Sequence, residues 1–221
     1  EDMYFTAEYL SEIIKELKRN DIAVTLSIGE RSFDEYALLK DAGADRFLLR
    51  LETSDKELYE TMHPKASYEN RKRCLSDLKR LGFETGTGCL VGLPGQSLSS
   101  LADDILFFKE IDADMIGIGP FIPHTHTPLK GSSSGSFNLA LKVMALTRLL
   151  LPDINIPATT AMETLQSDGR ILALQSGANV VMPNVTLEEY KAKYEIYPNK
   201  SRVDYNELVE KLAKIGRTVS A

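Results

Sequence analysis

The sequence is poor in cysteine and contains no tryptophan; its two cysteines are Cys74 and Cys89. Two cysteines separated by 14 residues cannot build a disulfide framework, and they lack the clustered spacing of a zinc or iron–sulfur site. We therefore expect both to be ordinary buried or half-buried thiols. No residue of the chain is assigned a metal-ligating or catalytic role.

The chain also lacks an apolar run of about 18 residues, so no transmembrane segment is predicted. Glu1, Asp2 and Met3 lead directly into an amphipathic helical pattern, without the basic and apolar regions of a secretory signal, and we expect a cytoplasmic protein. The 26 Lys and Arg against 32 Asp and Glu give a net charge of −6. This balance argues against nucleic acids and anionic membranes as partners.

Apolar strand-like segments alternate with helical patterns along nearly the whole chain. Thr6 is predicted to cap the first helix, and helical stretches are predicted on either side of Pro64. Further helices are predicted over residues 33–42, 98–110, 137–151 and 167–176, with a closing helical region from Leu187. Six strands are predicted over residues 24–29, 46–52, 87–93, 115–122, 154–162 and 178–184.

Apolar strands that are separated by helices favour parallel pairing with both faces of the sheet covered. An open doubly wound sheet and a barrel both fit. Polar residues recur at the carboxyl end of nearly every strand, with no single switch point, which favours a (β/α)8 TIM barrel of α/β class. A closed barrel needs eight units in about 250 residues, so two N-terminal units are expected to be missing. We expect an incomplete barrel over 1–198 and a C-terminal helical extension over 199–221, with GSSSGS at 131–136 as a flexible loop.

Charged residues end the second predicted strand. Arg50 and Glu52 alternate with Leu51, so both side chains should project to the same side at the barrel mouth, where unpaired burial is costly. They either pair with each other or hold a zwitterion or carboxylate, and we favour the second interpretation. Arg71 lies beside Lys72 and Arg73, and such a basic run is by spacing alone a solvated helix face.

Three other segments carry polar or flexible residues. Residues 86–96 hold four glycines around a strand and its exit turn, which fits a tight turn or a ligand platform but not a phosphate-binding loop. His124 and His126 lie in a proline-rich loop without a third ligand, so exposed loop histidines are the better interpretation. Thr159 and Thr160 end another strand, where hydroxyls bind an anion or serve the scaffold.

Six strings resemble the HydE family of radical S-adenosylmethionine (radical SAM) enzymes, the maturases of [FeFe]-hydrogenase, and its relatives biotin synthase and methylornithine synthase. They are TLSIGE, RFLLRLETSDKELYETMHP, ETGTGCLVGLPGQ, DMIGIGPFIPHTHTPL, IPATTAM and GANVVMPN. The resemblance runs up to Tyr197 and Pro198. It implies a barrel with a [4Fe–4S] cluster on a C-x3-C-x2-C loop, which reductively cleaves S-adenosylmethionine to a 5′-deoxyadenosyl radical.

The resemblance also implies roles for individual residues. Glu52 and Arg71 match the family's ligands for the amino and carboxylate groups of the cofactor, which suits a clamp for a zwitterion. Other residues match positions near the cofactor: Met115, Met182 and Tyr194. A further set matches the lining of the cavity for a small-molecule or organometallic substrate: Thr25, Arg50, Thr159 and Thr160. Other hydrogenase maturases are the implied protein partners.

The sequence departs from the family in one major respect, since it contains no C-x3-C-x2-C motif. Glu1 and Asp2 resemble the tail of the family's glycine–glutamate motif, so the cluster loop and first two strands are expected to precede residue 1. Without three thiolates the chain is predicted to be inactive alone. The competing interpretation is a cluster-free barrel module that binds a small anion. We favour the interpretation that the chain is part of a longer radical SAM enzyme, because a barrel module without the first two strands would have two unpaired strand edges, which are an aggregation liability.

Overall fold

The computed structural model describes residues 4–184, 186–191 and 205–219. The predicted alternation of helices and strands is confirmed in its first two thirds. In chain order the elements are α1 (Ala7–Lys18), β1 (Thr25–Leu26), α2 (Phe33–Asp41), β2 (Arg46–Leu48), α3 (Lys56–Met62), α4 (Tyr68–Arg80), β3 (Glu84–Val91), α5 (Leu98–Glu110), β4 (Met115–Pro120), α6 (Phe137–Leu150), α7 (Thr160–Leu165), α8 (Gly169–Gln175), α9 (Glu188–Lys191) and α10 (Tyr205–Lys214).

Short polar side chains start the helices. Thr6 accepts a hydrogen bond from the backbone N–H of Tyr9, which confirms the predicted cap of α1. Ser32 and Glu35 form a reciprocal capping box at α2. Because the first N–H groups of a helix have no partner inside it, each cap removes a cost of about 1 kcal/mol. The helix boundaries therefore follow from local chemistry that can be read in the sequence.

The chain divides into two compact units. The first contains Glu1–Cys89 and Ser97–Gly117, and the second contains Leu90–Gln96 and Ile118–Ala221. The boundary proposed near residue 198 stays a prediction. None of the described helices is both long enough and apolar enough to cross a membrane.

The strands β1 to β4 form a parallel sheet in the order β1-β2-β3-β4. Leu48 lies in register with Gly86, and the pairing continues beyond β2, because Leu49 donates to the Gly86 carbonyl at 2.9 Å and Glu52 bridges to Cys89. The aromatic ring of Phe47 packs edge-on against Phe83, at 5.9 Å between centroids. Parallel strands covered by helices are the arrangement expected of a TIM-type barrel.

Glycine is required where β3 approaches β4. A Cβ atom added to Gly88 would lie 2.0 Å from the Gly117 carbonyl oxygen, far inside van der Waals contact. The two strands can approach this closely only because Gly88 carries no side chain. This approach also leaves room above Gly117, where the Arg50 side chain lies.

We expect Gly88→Ala to destabilise the protein by about 2–4 kcal/mol, because the clash is with backbone that cannot move without separating the strands. Urea denaturation followed by circular dichroism measures the effect. Gly131→Ala is the matched control, since a Cβ there meets nothing within 4 Å. A Gly88→Ala variant as stable as Gly131→Ala would contradict the close approach.

The fifth and sixth predicted strands are wrong as extended strands. Among the described residues of the second unit, they are reduced to isolated bridging residues, which are Asn155 and the parallel pair Pro157 and Val180. Around this bridge the Ala158 N–H donates to the Val180 carbonyl at 2.9 Å and the Val180 N–H donates to the Ile156 carbonyl at 3.2 Å, so both hydrogen bonds form although Pro157 has no N–H. The chain then turns into α7 at Thr160, inside the segment predicted as strand.

Part of the segment predicted as a flexible loop is fixed. Gly135 is buried, and its N–H donates to the Phe121 carbonyl at 2.8 Å. An added Cβ at Gly135 would lie 1.9 Å from the Val91 carbonyl oxygen. Ser136 then caps α6. The serine-rich composition is therefore interrupted by a glycine that is needed for packing.

Candidate functional site

Glu52 lies just beyond the hydrogen-bonded end of β2, in an unusual backbone conformation. Its N–H donates to the Gly88 carbonyl at 2.9 Å, and its φ angle is 71°. The left-handed region is rare for residues other than glycine and costs on the order of 1–3 kcal/mol. Such a conformation persists only where the surrounding structure holds it. The positive φ angle turns the Glu52 side chain away from the regular alternation of the strand.

The Arg50 and Glu52 side chains form an ion pair at the end of this strand. Arg50 Nη2 lies 3.2 Å from Glu52 Oε2 and donates to the Cys89 carbonyl at 2.6 Å. Arg50 Nε and Glu52 Oε2 are both buried without a hydrogen bond of good geometry. The mutual pairing, which was the less favoured interpretation, is therefore present, and it leaves one donor and one acceptor available for a further polar group.

The residues after Glu52 are held by two neighbouring helices. The Ser54 N–H donates to Asp104 Oδ1 of α5 at 2.5 Å. The Tyr68 hydroxyl, at the start of α4, donates to the Ser54 carbonyl at 2.9 Å. Thr53 is completely buried between these contacts. Sequence reasoning missed both Asp104 and Tyr68, although a single Asp on the apolar face of α5 was a usable signal.

Burial raises the pKa of Asp104 to about 6, and the hydrogen bond from Ser54 only partly offsets this effect. An acid whose pKa is raised on folding stabilises the protein at low pH, and this contribution is lost as the pH rises through the folded pKa. From pH 5 to pH 7.5 Asp104 is expected to lower the free energy of unfolding by on the order of 1 kcal/mol. Asp104→Asn should flatten this difference in urea unfolding. An unchanged difference would contradict the shift.

Arg71 lies in α4 and faces inward. Its Nε atom lies 2.8 Å from Glu30 Oε1 and donates to the Tyr59 hydroxyl at 3.2 Å. The exposed fractions of the Arg71 and Glu30 side chains are 12% and 14%. The interpretation of Arg71 as part of a solvated face is therefore wrong. Spacing failed because the basic run wraps around the helix, and only Arg71 points towards the acidic residue that follows β1.

Tyr59 lies between Arg71 and Tyr68 and contacts both. It is fully buried in α3, and its ring packs edge-on against Tyr68 at 5.6 Å between centroids. Tyr59 thus contacts both Arg71 and the residue that holds the loop after Glu52. Neither Glu30 nor Tyr59 was selected from the sequence, although Glu30 ends the TLSIGE string.

Two further predicted positions, Thr25 and Met115, belong to the first unit. Thr25 is the exposed first residue of β1. Met115 begins β4 and fills the space beside Gly86, where an added Cβ would lie 3.1 Å from its side chain. Gly86 is near the amino end of β3, whereas Glu52 pairs with Cys89 near the carboxyl end. Met115 is therefore not grouped with Glu52 by strand register.

The second unit contains the remaining predicted positions. Thr159 precedes α7 without capping it, and its Oγ1 atom is buried with no hydrogen bond. A Cβ added at Gly119 would lie 3.2 Å from this oxygen. Thr160 is the half-buried first residue of α7, and Met182 is 56% exposed. Tyr194 lies outside the described residues.

Cysteine and histidine do not assemble a metal site in the described part of the chain, where no three His, Cys, Asp or Glu residues are grouped suitably. Cys74 and Cys89 are both buried and free, as predicted, and burial raises the pKa of both thiols. His126 is exposed, while His124 is half-buried and accepts from the His126 N–H at 3.1 Å. These residues do not fit an iron–sulfur cluster, which needs thiolate ligands.

The first half of the chain matches a known family. Residues 2–108 match the sequence profile of the Radical SAM superfamily. A crystal structure of methylornithine synthase (PylB) superimposes on 100% of this chain and 66% of that chain, with a TM-score of 0.82 and 26% identity. The fold is therefore a TIM barrel of radical SAM type, present in part.

Among known proteins, the chain is similar to HydE. The [FeFe] hydrogenase maturase subunit HydE of Thermotoga maritima is 54% identical over 200 residues, which are 90% of this chain and 58% of that protein. The 3-methylornithine synthase of Methanosarcina acetivorans is 30% identical over 223 residues, or 98% of this chain and 63% of that protein. The predicted resemblance is confirmed, and the chain spans about three fifths of the length of these relatives.

Proposed function

We propose that this chain provides the cofactor-clamping and substrate-lining part of a radical SAM enzyme similar to HydE. Glu52 and Arg71 would hold the amino and carboxylate groups of S-adenosylmethionine. The observation that carries the proposal is the buried Glu52 Oε2 atom, which makes no hydrogen bond of good geometry beside a strained backbone. When bound, the cofactor supplies a 5′-deoxyadenosyl radical.

The Glu52 carboxylate suits a primary ammonium group because it accepts hydrogen bonds and already lies in a polar environment. Its ion pair with Arg50 at 3.2 Å uses a single guanidinium nitrogen. An ammonium group that approaches Oε2 gains a charge-assisted hydrogen bond without separating that pair. The left-handed backbone at Glu52 fixes the carboxylate before the ligand arrives, which reduces the entropy cost of binding.

Arg71 suits a carboxylate group, although its Nε atom is engaged by Glu30 and Tyr59. A guanidinium presents five donors in a planar fork, and a carboxylate ligand needs two of them. The Glu30 contact orients the fork and keeps it close to the end of β1. In the proposed role, the carboxylate of the cofactor binds to an arginine whose side chain is already oriented by Glu30.

Buried polar atoms support a substrate that carries oxygen or negative charge. Arg50 Nε in the first unit and Thr159 Oγ1 in the second each lack a hydrogen bond. In the first unit, a small-molecule or organometallic substrate with anionic groups would satisfy the Arg50 donor. We further propose a cytoplasmic protein that works with other hydrogenase maturases. The proposed residues near the cofactor and substrate also include Met115, Met182, Tyr194, Thr25 and Thr160.

The cluster is the part of the proposed chemistry that this chain cannot hold, because its two cysteines are both buried and three thiolates are required. That same observation favours a second candidate function, in which the barrel binds a small anion without redox chemistry. The two candidates differ in their ligand, since only the first requires recognition of a zwitterionic amino-acid group attached to adenosine.

Isothermal titration of the purified protein with S-adenosylmethionine tests the proposal. We expect measurable binding, and binding at least about tenfold weaker for 5′-methylthioadenosine, which lacks the amino-acid end and so one or more charge-assisted hydrogen bonds. Equal affinities would contradict the clamp. Failure of both ligands, with binding of a simple inorganic anion, would favour the anion module.

A further inference from the structure

The strained Glu52 backbone requires contacts that hold it on both sides. On its amino-terminal side, the Glu52 N–H is fixed to the Gly88 carbonyl at 2.9 Å. On its carboxyl-terminal side, the peptide groups that flank Ser54 are fixed by Asp104 and Tyr68 at 2.5 and 2.9 Å. A residue with φ of 71° would relax towards the ordinary region if one side were released.

Burial of the Asp104 carboxylate at this position is energetically unfavourable. Asp104 is 1% exposed, and its Oδ2 atom has no hydrogen-bond partner. A buried carboxylate without a cationic partner is destabilising, and an apolar residue of similar size would remove that cost. Asp104 Oδ1 accepts a hydrogen bond from the Ser54 N–H, so the carboxylate holds the loop after Glu52.

Tyr68 links the loop after Glu52 to the helix that carries Arg71. Tyr68 and Arg71 are three residues apart on α4 and therefore lie on neighbouring positions of one helix face. The Tyr68 hydroxyl thus fixes the Ser54 carbonyl directly to the helix that carries Arg71. Tyr59, which accepts from Arg71, packs against the Tyr68 ring.

We propose that Asp104 and Tyr68 are positioning residues, which hold the Ser54 peptide groups so that the Glu52 carboxylate stays oriented relative to Arg71 for binding the amino-acid end of the cofactor. The proposal rests on the proposed function and deepens it. In this role Asp104 on α5 and Tyr68 at the start of α4 act through the Ser54 peptide groups and not by contact with the ligand.

Binding of S-adenosylmethionine to the purified protein, measured by isothermal titration, tests the roles of Asp104 and Tyr68. Asp104→Leu and Tyr68→Phe each remove one hydrogen bond from the loop, and we expect roughly fivefold weaker binding for each. Asp104→Asn keeps an acceptor for the Ser54 N–H and should restore binding to within about twofold. The exposed neighbour Asp103 provides the control variant Asp103→Leu.

Amide hydrogen exchange at Ser54 gives a second readout that does not depend on the ligand. Exchange should accelerate in Asp104→Leu and remain slow in Asp104→Asn and Asp103→Leu, because only the first loses the acceptor. Unchanged exchange in Asp104→Leu, or unchanged binding in both loop variants, would overturn the positioning role. If Glu52→Gln also left binding unchanged, the proposed function itself would fail; a loss in Glu52→Gln alone would overturn only the role of Asp104 and Tyr68.

Discussion

The 221-residue chain is expected to release no 5′-deoxyadenosine from S-adenosylmethionine under a strong reductant. Reductive cleavage requires an electron from an iron–sulfur cluster, and the cluster requires cysteine thiolates that the chain does not have. Cys74 and Cys89 are buried in the core, and burial raises the pKa of both thiols, which opposes thiolate formation. The expected effect is complete loss of turnover.

Anaerobic incubation with iron, sulfide and reductant, followed by chromatography for 5′-deoxyadenosine, measures this prediction. Protein-bound iron and sulfide should be determined in the same samples, with authentic 5′-deoxyadenosine as a recovery control. Product formation above the protein-free background would show that the chain assembles a cluster without a three-cysteine loop. That result would contradict the ligand argument.

Substitution of Glu52 should have the largest effect on cofactor binding. Glu52→Gln keeps the size of the side chain and removes its charge, so the ammonium group of S-adenosylmethionine loses a charge-assisted hydrogen bond of about 1.5–3 kcal/mol. Binding should weaken by roughly 10- to 150-fold. Arg71→Ala should weaken binding by a similar factor through the carboxylate group.

Isothermal titration of the variants with S-adenosylmethionine measures these losses. Glu60→Gln is the matched control for Glu52→Gln, because Glu60 is an exposed carboxylate of the adjacent helix α3. Thermal unfolding of the same samples separates a binding defect from a folding defect. Affinities of Glu52→Gln and Glu60→Gln that agree within twofold would remove Glu52 from the site.

The parts of the fold that follow from local chemistry could be predicted from the sequence. Thr6 caps α1 because its side-chain oxygen accepts a hydrogen bond from the backbone N–H of Tyr9, and the apolar spacing of α1 and α5 is visible without a structure. Strand lengths were less accessible. They depend on which neighbour is present to pair, and the segment around Pro157, although typical of a strand, is reduced to an isolated bridge with Val180.

The candidate site could be predicted only where charge appears in an apolar setting. Arg50 and Glu52 are conspicuous because they interrupt a buried strand, and the structure places them as a pair. Glu30, Tyr59, Tyr68 and Asp104 were missed because their roles arise from contacts between elements far apart in sequence. The left-handed conformation of Glu52 has no sequence signal either, since glycine or asparagine is the usual residue in that region.

A thermodynamic cycle on the ligand tests the central claim most directly. Wild-type protein and Glu52→Gln are each titrated with S-adenosylmethionine and with 5′-methylthioadenosine. If Glu52 holds the amino-acid end, the substitution weakens binding of S-adenosylmethionine roughly 10- to 150-fold and leaves binding of 5′-methylthioadenosine within about twofold. Equal losses for both ligands, or no loss for either, would contradict the assignment of Glu52 to the ammonium group.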